Sequence, residues 1–517
     1  MRNHMEAGWF YSPGQIRRYF MTRVTSLKPP KTKLLSPVSV LRNLDRHQWL
    51  MFVVGFLSWT WDSFDFATVT FCVTEIAADF GTNVSAVSWG ITVTLMLRPV
   101  GALVFGALSD RYGRKWVMVT NLFLFVVLEL ASGFARNLSQ FLGVRALYGI
   151  AMGGLYAPAV ATALEDLPHD ASGMLSGLFQ QGYAVGFLLA SVFYRALVPT
   201  TIHGWRSLFW FGAGPPVLII AFRLWLPETN AFRVMRAEQE ASLIQKHDTQ
   251  ETAVASTKSK AWLKEVWITI KQNWVLFIYM IVMMTGFSSC SHGAQDLYPT
   301  FLKNQVELGP TDVTIITTVG NIGLLFGGVI FGYVSTFLGR RLTMIICCIL
   351  GAAVFPAALI PRSLDLVAGN FFIEFFIGGV SGPIPIYLTE LSPPTLRTTV
   401  MGLTYQLGSL ASSATATIQA TIGERFPLPS RNGVQRFDYG RVIAIFEVIL
   451  ICFILGPEMS EAERAENSAS ASYIDGMRKQ GTSPTEIVAQ KEKMAAPGID
   501  LAQDVGNEKL DGVGKFE

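Results

Sequence analysis

Twelve apolar runs, each about 20 residues long, constrain the fold of this sequence more than any other feature. A helix of about 20 residues crosses the hydrocarbon core of a bilayer and satisfies its own backbone polar groups. The pattern therefore predicts an all-α membrane protein with twelve transmembrane helices. The runs cover residues 50–73, 84–108, 115–135, 139–162, 173–195, 206–226, 273–299, 312–335, 341–360, 364–388, 398–421 and 438–456.

Composition supports a protein of the lipid bilayer. Half of the 517 residues are hydrophobic and 15% are charged, whereas a soluble domain carries about a quarter charged residues. The net charge of +3 gives no reason to expect a nucleic-acid partner. The sequence contains no metal-ligand cluster, nucleophile–base arrangement or phosphate-binding loop, so we expect no metal, no cofactor besides a coupling proton and no enzymatic activity.

Loop charges predict the orientation. Basic residues dominate the N-terminal arm, the loop after the second run and the stretch after the sixth, which places these segments in the cytoplasm. The arm has no short apolar core with a cleavage site, so the first run is expected to direct insertion. Twelve crossings return a polar C-terminal tail, expected to be disordered, to the cytoplasm. The predicted divisions are an arm over 1–48, a first half over 49–226, a linker over 227–272, a second half over 273–456 and a tail over 457–517.

The two halves repeat each other at a nearly constant offset. Matched pairs include Gly106 with Gly332, Gly113 with Gly339, Arg114 with Arg340, Glu165 with Glu390, Gln181 with Gln406 and Asp65 with Asp296. A duplication of six helices predicts two pseudo-symmetric halves that rock about a site near the bilayer midplane.

The stretch GALSDRYGRK, from Gly106 to Lys115, is a candidate gate between the second and third runs. Gly113 permits a tight turn, and Asp110 can cap a helix N-terminus or pair with an arginine. The second copy has Thr336 in place of Asp110, so we expect an asymmetric gate. The alternative is a positively charged loop without a gating role. The candidate gating residues are Gly106, Asp110, Arg111, Gly113, Arg114, Gly332, Gly339 and Arg340. The stretch resembles the signature loop of the major facilitator superfamily.

The seventh run ends in GFSSCSHGAQDLYPT, which places polar side chains at membrane depth. Such groups are expensive there and face a cavity or a partner. His292 and Asp296 are four residues apart and share one helix face with Gln295. The pattern resembles the signature of fungal monocarboxylate–proton symporters, the lactate–pyruvate permeases. The positions that match are Ser291, His292, Gln295, Asp296 and Thr300, while Ser288 and Ala294 depart from it.

Arg98 stands inside the apolar second run and must have an anionic partner. Its guanidinium suits a carboxylate in bidentate geometry. Two interpretations remain open: a substrate carboxylate, or a structural pair with Asp62 or Asp65. They are compatible, because the arginine could exchange partners during a transport cycle.

His292 and Asp296 are the leading candidates for proton coupling. An aspartate that alternates between a cavity and a cationic partner would load and release a proton, and histidine titrates near neutral pH. A structural hydrogen-bonded cluster is the alternative. Asp62, Asp65 and Glu374 are further proton candidates, although Glu374 could instead pair with Arg145 or lie near the outer end of its helix.

Four more residues are candidates to line the substrate cavity. Gln181 and Gln406 occupy equivalent positions and could bind a hydroxyl or carbonyl group. Phe179 and Tyr405 could set the size of the substrate. Helix packing is the alternative role for each of the four.

The resemblance, over residues 45–456, implies proton-coupled import of short monocarboxylates such as lactate, pyruvate or acetate across the plasma membrane by a monomer. The alternatives are a transporter of dicarboxylates, sialic-acid-like anions, sugars or drugs, and a nutrient sensor that does not transport. Lysines of the tail could accept ubiquitin and recruit the endocytic machinery, or the tail could simply be solvated.

Overall fold

The structure is a computed structural model that describes residues 36–237, 255–295, 298, 301–302, 305–360, 363–393, 396–413, 427–431 and 434–437. By length and composition, eight segments within this part could cross a membrane. These helices confirm the all-α class of the prediction.

Within the described residues, the first half contains ten helices, and the first of them is short. Three predicted runs are each divided into two helices, at Gly154, Gln181 and Ala213, where glycine and proline residues interrupt the apolar sequence. The helices are α1 Pro37–Arg42, α2 Arg46–Asp79, α3 Val84–Tyr112, α4 Arg114–Gly133, α5 Leu138–Gly153, α6 Tyr156–Leu164, α7 His169–Gln180, α8 Gly182–Leu197, α9 Trp205–Gly212 and α10 Gly214–Trp225.

The described part of the second half contains six helices. Its helices are α11 Ala255–Gln295, α12 Pro310–Leu338, α13 Arg340–Leu359, α14 Leu366–Ser381, α15 Ile384–Leu391 and α16 Arg397–Ser412. Helix α11 begins inside the segment predicted as a linker. The predicted run 438–456 lies outside the described residues.

A two-stranded antiparallel hairpin follows α16. Strands β1 Pro427–Arg431 and β2 Val434–Phe437 pair with Leu428 opposite Arg436. In the sequence these residues stand between two apolar runs and were predicted only to connect them.

Glycines set the closest helix crossings in both halves. A Cβ atom on any of four glycines would collide with a carbonyl of the facing helix. The contacts are Gly101 on Ile150 and Gly153 on Arg98 in the first half, and Gly327 on Phe375 and Gly378 on Leu324 in the second. Small residues allow such close backbone approach between helices in lipid. The crossing of α3 with α5 therefore recurs as that of α12 with α14, and the predicted duplication is visible in the packing.

The halves meet where α7 contacts α12 and α15, and where α3 contacts α16. At this junction the Ser176 hydroxyl donates to the carbonyl of Gly382 at 2.8 Å and accepts from the amide of Ile386 at 3.1 Å. These two backbone groups are four residues apart, so the hydroxyl occupies the place of a helical hydrogen bond. An inserted side chain interrupts the regular helical hydrogen bonds, and this one lies at the junction of α14 and α15.

Candidate functional site

Arg98 lies midway along α3 and is 5% exposed. Its Nη2 atom is 3.9 Å from Asp62 Oδ2 and 2.6 Å from the sulfur of Met152, and its guanidinium lies 4.9 Å from the centre of the Phe66 ring. A thioether is a weak acceptor, and 3.9 Å is too long for a hydrogen bond. Among the described residues, Arg98 Nε and Asp62 Oδ1 have no hydrogen-bond partner. The arginine therefore has an anionic neighbour and spare donor capacity.

Asp65 belongs to a second buried cluster. The Tyr148 hydroxyl donates to Asp65 Oδ2 at 2.6 Å, and Arg145 Nη2 donates to Glu129 Oε2 at 2.6 Å. Asp65 and Glu129 both lie against Gly212, so the two carboxyl groups are neighbours. Tyr148, Glu129 and Arg145 are each at most 1% exposed. Two carboxyl groups thus share the charge of one guanidinium.

Glu129 was not among the candidates from the sequence, and Arg145 was considered there as an ion-pair partner of Glu374. The structure pairs Arg145 with Glu129 because α4 and α5 are neighbours in the first half, whereas Glu374 lies on α14 in the second. Glu129 stands alone in an apolar run, as Arg98 does, so the criterion that singled out Arg98 would also have found it. Glu374 is buried, lies near Gly320 and is close enough to Tyr298 for an electrostatic interaction.

An aromatic cluster lies where the halves meet, and we define it as Trp59, Tyr156, Phe179, Tyr183 and Tyr405. Tyr156 of the first half stacks on Tyr405 of the second with centroids 3.8 Å apart. The Trp59 ring lies edge-on to both, at 4.8 Å from Tyr156 and 5.9 Å from Tyr405. Phe179 is fully buried and lies parallel to Trp59 at 6.3 Å.

Three buried glutamines lie within two residues of cluster members along the chain. Gln180 Nε2 donates to the Tyr405 hydroxyl at 3.4 Å, and Gln181 lies against Gly328 of α12. Gln406 is 1% exposed on α16. Among the described residues, Gln180 Oε1, Gln181 Nε2 and Gln406 Oε1 have no hydrogen-bond partner. Gln180 and Gln181 thus contact residues of the second half, whereas Gln406 is buried on α16. Gln180 was not among the predicted amides.

The polar end of the seventh run is described only in part. Ser291 is half-buried on α11. The backbone of His292 and Gln295 belongs to the same helix, while their side chains lie outside the description. Asp296 and Thr300 lie outside the described residues altogether. The roles given to these residues stay predictions.

Asp110 joins the two halves. Its carboxylate accepts from the amide and hydroxyl groups of Thr398 at 3.0 and 2.6 Å, and from those of Thr399 at 2.9 and 2.8 Å. These residues open α16, where a negative charge is favourable. Arg114 also lies 3.7 Å from Asp110. Both roles foreseen for Asp110 therefore occur, and we call its contact with Thr398 and Thr399 the inner latch.

The second copy of the loop makes a different contact. Arg340 donates to Ser172 of α7 at 3.0 Å and pairs with Glu390 at 3.2 Å, while Thr336 lies against Gly173. The Glu390 pair repeats the 3.0 Å pair of Arg114 with Glu165 in the first half. The two copies of the loop therefore make different contacts with the opposite half, and an asymmetric gate stays a prediction.

The remaining gate residues set the backbone. Gly113 and Gly339 have φ angles of 105° and 95°, which favour glycine in both copies. Gly106 approaches Thr399, and Gly332 approaches Gly173. Arg111 is exposed and lies 5.2 Å from the centre of the Tyr112 ring, outside the inner latch.

Comparison with known proteins adds three findings. The family described as "Sugar (and other) transporter" matches residues 48–455. A carboxylic acid transporter protein homolog of Saccharomyces cerevisiae is 35% identical over 502 residues, which cover 94% of this chain and 81% of the relative. The sialic acid transporter NanX of Escherichia coli is 28% identical, over 77% of this chain and 92% of that protein.

Solved structures share the fold, and one of them is a sugar symporter. The proton:xylose symporter XylE, bound to 6-bromo-6-deoxy-D-glucose, superposes with a TM-score of 0.61 at 16% identity. The match covers 80% of this chain and 97% of XylE. At this identity the likeness concerns the arrangement of helices and carries no information on the substrate.

Proposed function

This chain belongs to the sugar (and other) transporter family of the major facilitator superfamily, and from this premise we propose that it imports short monocarboxylates together with protons. As a member of that family it is a multi-pass membrane transporter and not an enzyme. The acid class is supported by the yeast relative named a carboxylic acid transporter homolog. Lactate, pyruvate and acetate are the proposed substrates.

Arg98 is the observation that carries the proposal. Its guanidinium is buried midway along a transmembrane helix and is only partly satisfied by Asp62 at 3.9 Å. A carboxylate that reached it would form charge-assisted hydrogen bonds, which are about twice as strong as neutral ones. A neutral sugar would leave this cation without such a partner, so the geometry favours an acid.

The count of buried charges near Arg98 supports the proposed proton coupling. Three carboxyl groups, of Asp62, Asp65 and Glu129, face two guanidinium groups, of Arg98 and Arg145. A substrate carboxylate competes with Asp62 for Arg98. A carboxylate deprived of its cation in a buried site is disfavoured in its charged form. Asp62 or Asp65 would then take up a proton as the substrate arrives, alongside the candidates His292 and Asp296.

Electroneutral entry is the physical advantage of this coupling. Moving an anion into a cell with a negative-inside potential costs about 2.3 kcal/mol of free energy per 100 mV. A proton that travels with the anion removes this cost and lets a pH gradient drive uptake. The proposed location is the plasma membrane, with both termini in the cytoplasm. The basic loops support the orientation.

The test is uptake of labelled lactate by cells that lack their own carboxylate permeases. Uptake is measured at external pH of about 5 and about 7, with and without a protonophore. We expect faster uptake at the lower pH and collapse with the protonophore. Lactate uptake by Asp62→Asn, Asp65→Asn and Asp296→Asn identifies the coupling carboxylate. Absence of uptake of lactate, pyruvate and acetate by wild type at the cell surface would refute the proposal.

A further inference from the structure

The stack of Tyr156 on Tyr405 is made across the two halves. Tyr156 opens α6 in the first half, and Tyr405 lies on α16 in the second, with ring centroids 3.8 Å apart and planes 23° apart. Alternating access requires the halves to move relative to each other. Such movement separates these rings and turns two aromatic faces toward the passage between the halves.

The rings stand beside the proposed anion site. Arg98 and Asp62 lie close enough to Tyr405 for electrostatic interaction. Trp59 borders both tyrosines edge-on, and the Tyr156 hydroxyl has no hydrogen-bond partner among the described residues. One guanidinium and several aromatic faces are therefore available to the same ligand.

A small aliphatic acid makes little use of this arrangement. The carboxylate of lactate could bind the Arg98 guanidinium, but lactate has no flat face to place against a ring. A conjugated ring between the two tyrosines needs their planes about 7 Å apart, twice a contact distance of about 3.5 Å. It would replace the single stack of the closed site by two stacks, and aromatic pairs are favourable beyond the area they bury.

We infer that the site also binds and transports flat, conjugated monocarboxylates of the benzoate class, with the ring between Tyr156 and Tyr405 and the carboxylate at Arg98. The position of the carboxylate rests on the proposed function. The ring site does not, because it is formed by the two tyrosines alone.

The test compares benzoate with cyclohexanecarboxylate, which has the same carbon skeleton and one carboxylate but a puckered, saturated ring. Each acid is titrated into the purified full-length transporter, and binding is measured from the rise in the unfolding temperature. We expect benzoate to bind about tenfold more tightly than cyclohexanecarboxylate. The difference should shrink to about twofold in Tyr156→Leu and Tyr405→Leu and persist in Tyr156→Phe and Tyr405→Phe, which keep the rings.

Phe211→Leu is the matched control for loss of a ring. Phe211 packs against Phe193 at 4.2 Å within the first half, so its removal should leave the preference for benzoate unchanged. Labelled benzoate uptake, corrected for entry into cells without the transporter, then shows whether binding leads to transport. Saturable benzoate uptake that is weakened in Tyr405→Leu supports the inference.

Failure of the inference is distinguishable from failure of the proposed function. Equal binding of the two acids to the wild type would overturn the inference, whether or not lactate is transported. Preferential benzoate binding without benzoate uptake would overturn the transport part. If the wild type takes up no lactate but binds benzoate preferentially, the short-acid proposal is refuted and the ring site between Tyr156 and Tyr405 is retained.

Discussion

The two halves share their backbone contacts but differ in their buried charges. The glycine crossings of α3 with α5 recur in α12 with α14. By the same offsets, however, Arg98, Glu129 and Arg145 correspond to Leu324, Phe355 and Asn370. Leu324 and Phe355 pack in an apolar cluster, and Asn370 donates to a backbone carbonyl at 3.0 Å.

The difference separates the scaffold from the chemistry. Close helix crossings are a geometric requirement that both halves must meet, so their glycines are repeated. One anion site needs only one guanidinium, and each further buried charge would add a desolvation cost. Within the described residues, the first half therefore carries the ion-pair clusters at membrane depth around Arg98 and Arg145.

The largest expected effect is on stability, in Arg145→Asn, which installs the residue of the second half. It leaves Glu129 and Asp65 without their shared cation and should lower the free energy of unfolding by about 3–5 kcal/mol. Thermal unfolding of the purified protein measures the loss. Asn370→Ala, the matched change in the second half, should cost about 1 kcal/mol. Similar losses in both variants would contradict the asymmetry. Adding Glu129→Gln to Arg145→Asn should restore part of the stability.

Arg98→Leu tests where the anion binds. This variant installs the leucine found at the equivalent position of the second half. It should reduce lactate uptake at least about 100-fold, which corresponds to a free-energy loss of about 2.7 kcal/mol. Arg98→Lys keeps the charge without the planar fork and should be intermediate. Leu324→Ile, a volume-conserving control, should transport within about threefold of wild type. Unchanged uptake by Arg98→Leu at normal surface levels would move the anion site elsewhere.

Asp110→Asn tests the asymmetry of the gate. Hydrogen bonds to a charged group contribute about 1.5–3 kcal/mol, so loss of the charge should shift the equilibrium away from the closed inner side roughly 30-fold. The readout is maleimide labelling of Ala157→Cys, which faces Gly402 across the halves, in a cysteine-free protein in inside-out vesicles. Labelling should rise in Asp110→Asn. Thr336→Asp should lower it by adding a second latch, and equal labelling in all variants would refute a gating role.

Ser176→Ala is expected to have the smallest effect. Removing the hydroxyl inserted between Gly382 and Ile386 should weaken the closed junction by about 1 kcal/mol and raise labelling of Ala157→Cys about fivefold. The counterpart of Ser176 in the second half is Met401, which accepts a contact from Thr389 at 3.3 Å. Met401→Leu should leave labelling within about twofold. Equal effects of the two variants would show that the inserted hydroxyl does not control the junction.

Much of the fold could be predicted because helices in lipid satisfy their backbone within a local segment. The length of each apolar run predicts a spanning helix, and Gly113 and Gly339 predict tight turns. The repeat predicts two similar halves. The breaks at Gly154, Gln181 and Ala213 and the hairpin over β1 and β2 were not predicted. Glycine or proline residues stand at these breaks, but the mean hydropathy of an apolar run does not show that the helix is interrupted there.

The sequence by itself determined that buried charges exist and that Arg98 needs an anion, because an ionised group in an apolar run must be compensated. It also determined that Thr336 stands where the first loop copy has Asp110, so the two copies cannot make the same contact. Only the tertiary structure decided the partners: Asp62 beside Arg98, Glu129 on Arg145, and Tyr156 against Tyr405. Helical periodicity assigns a residue to a face of its own helix, but pairing depends on which face of a distant helix meets it. That choice is made when the helices pack.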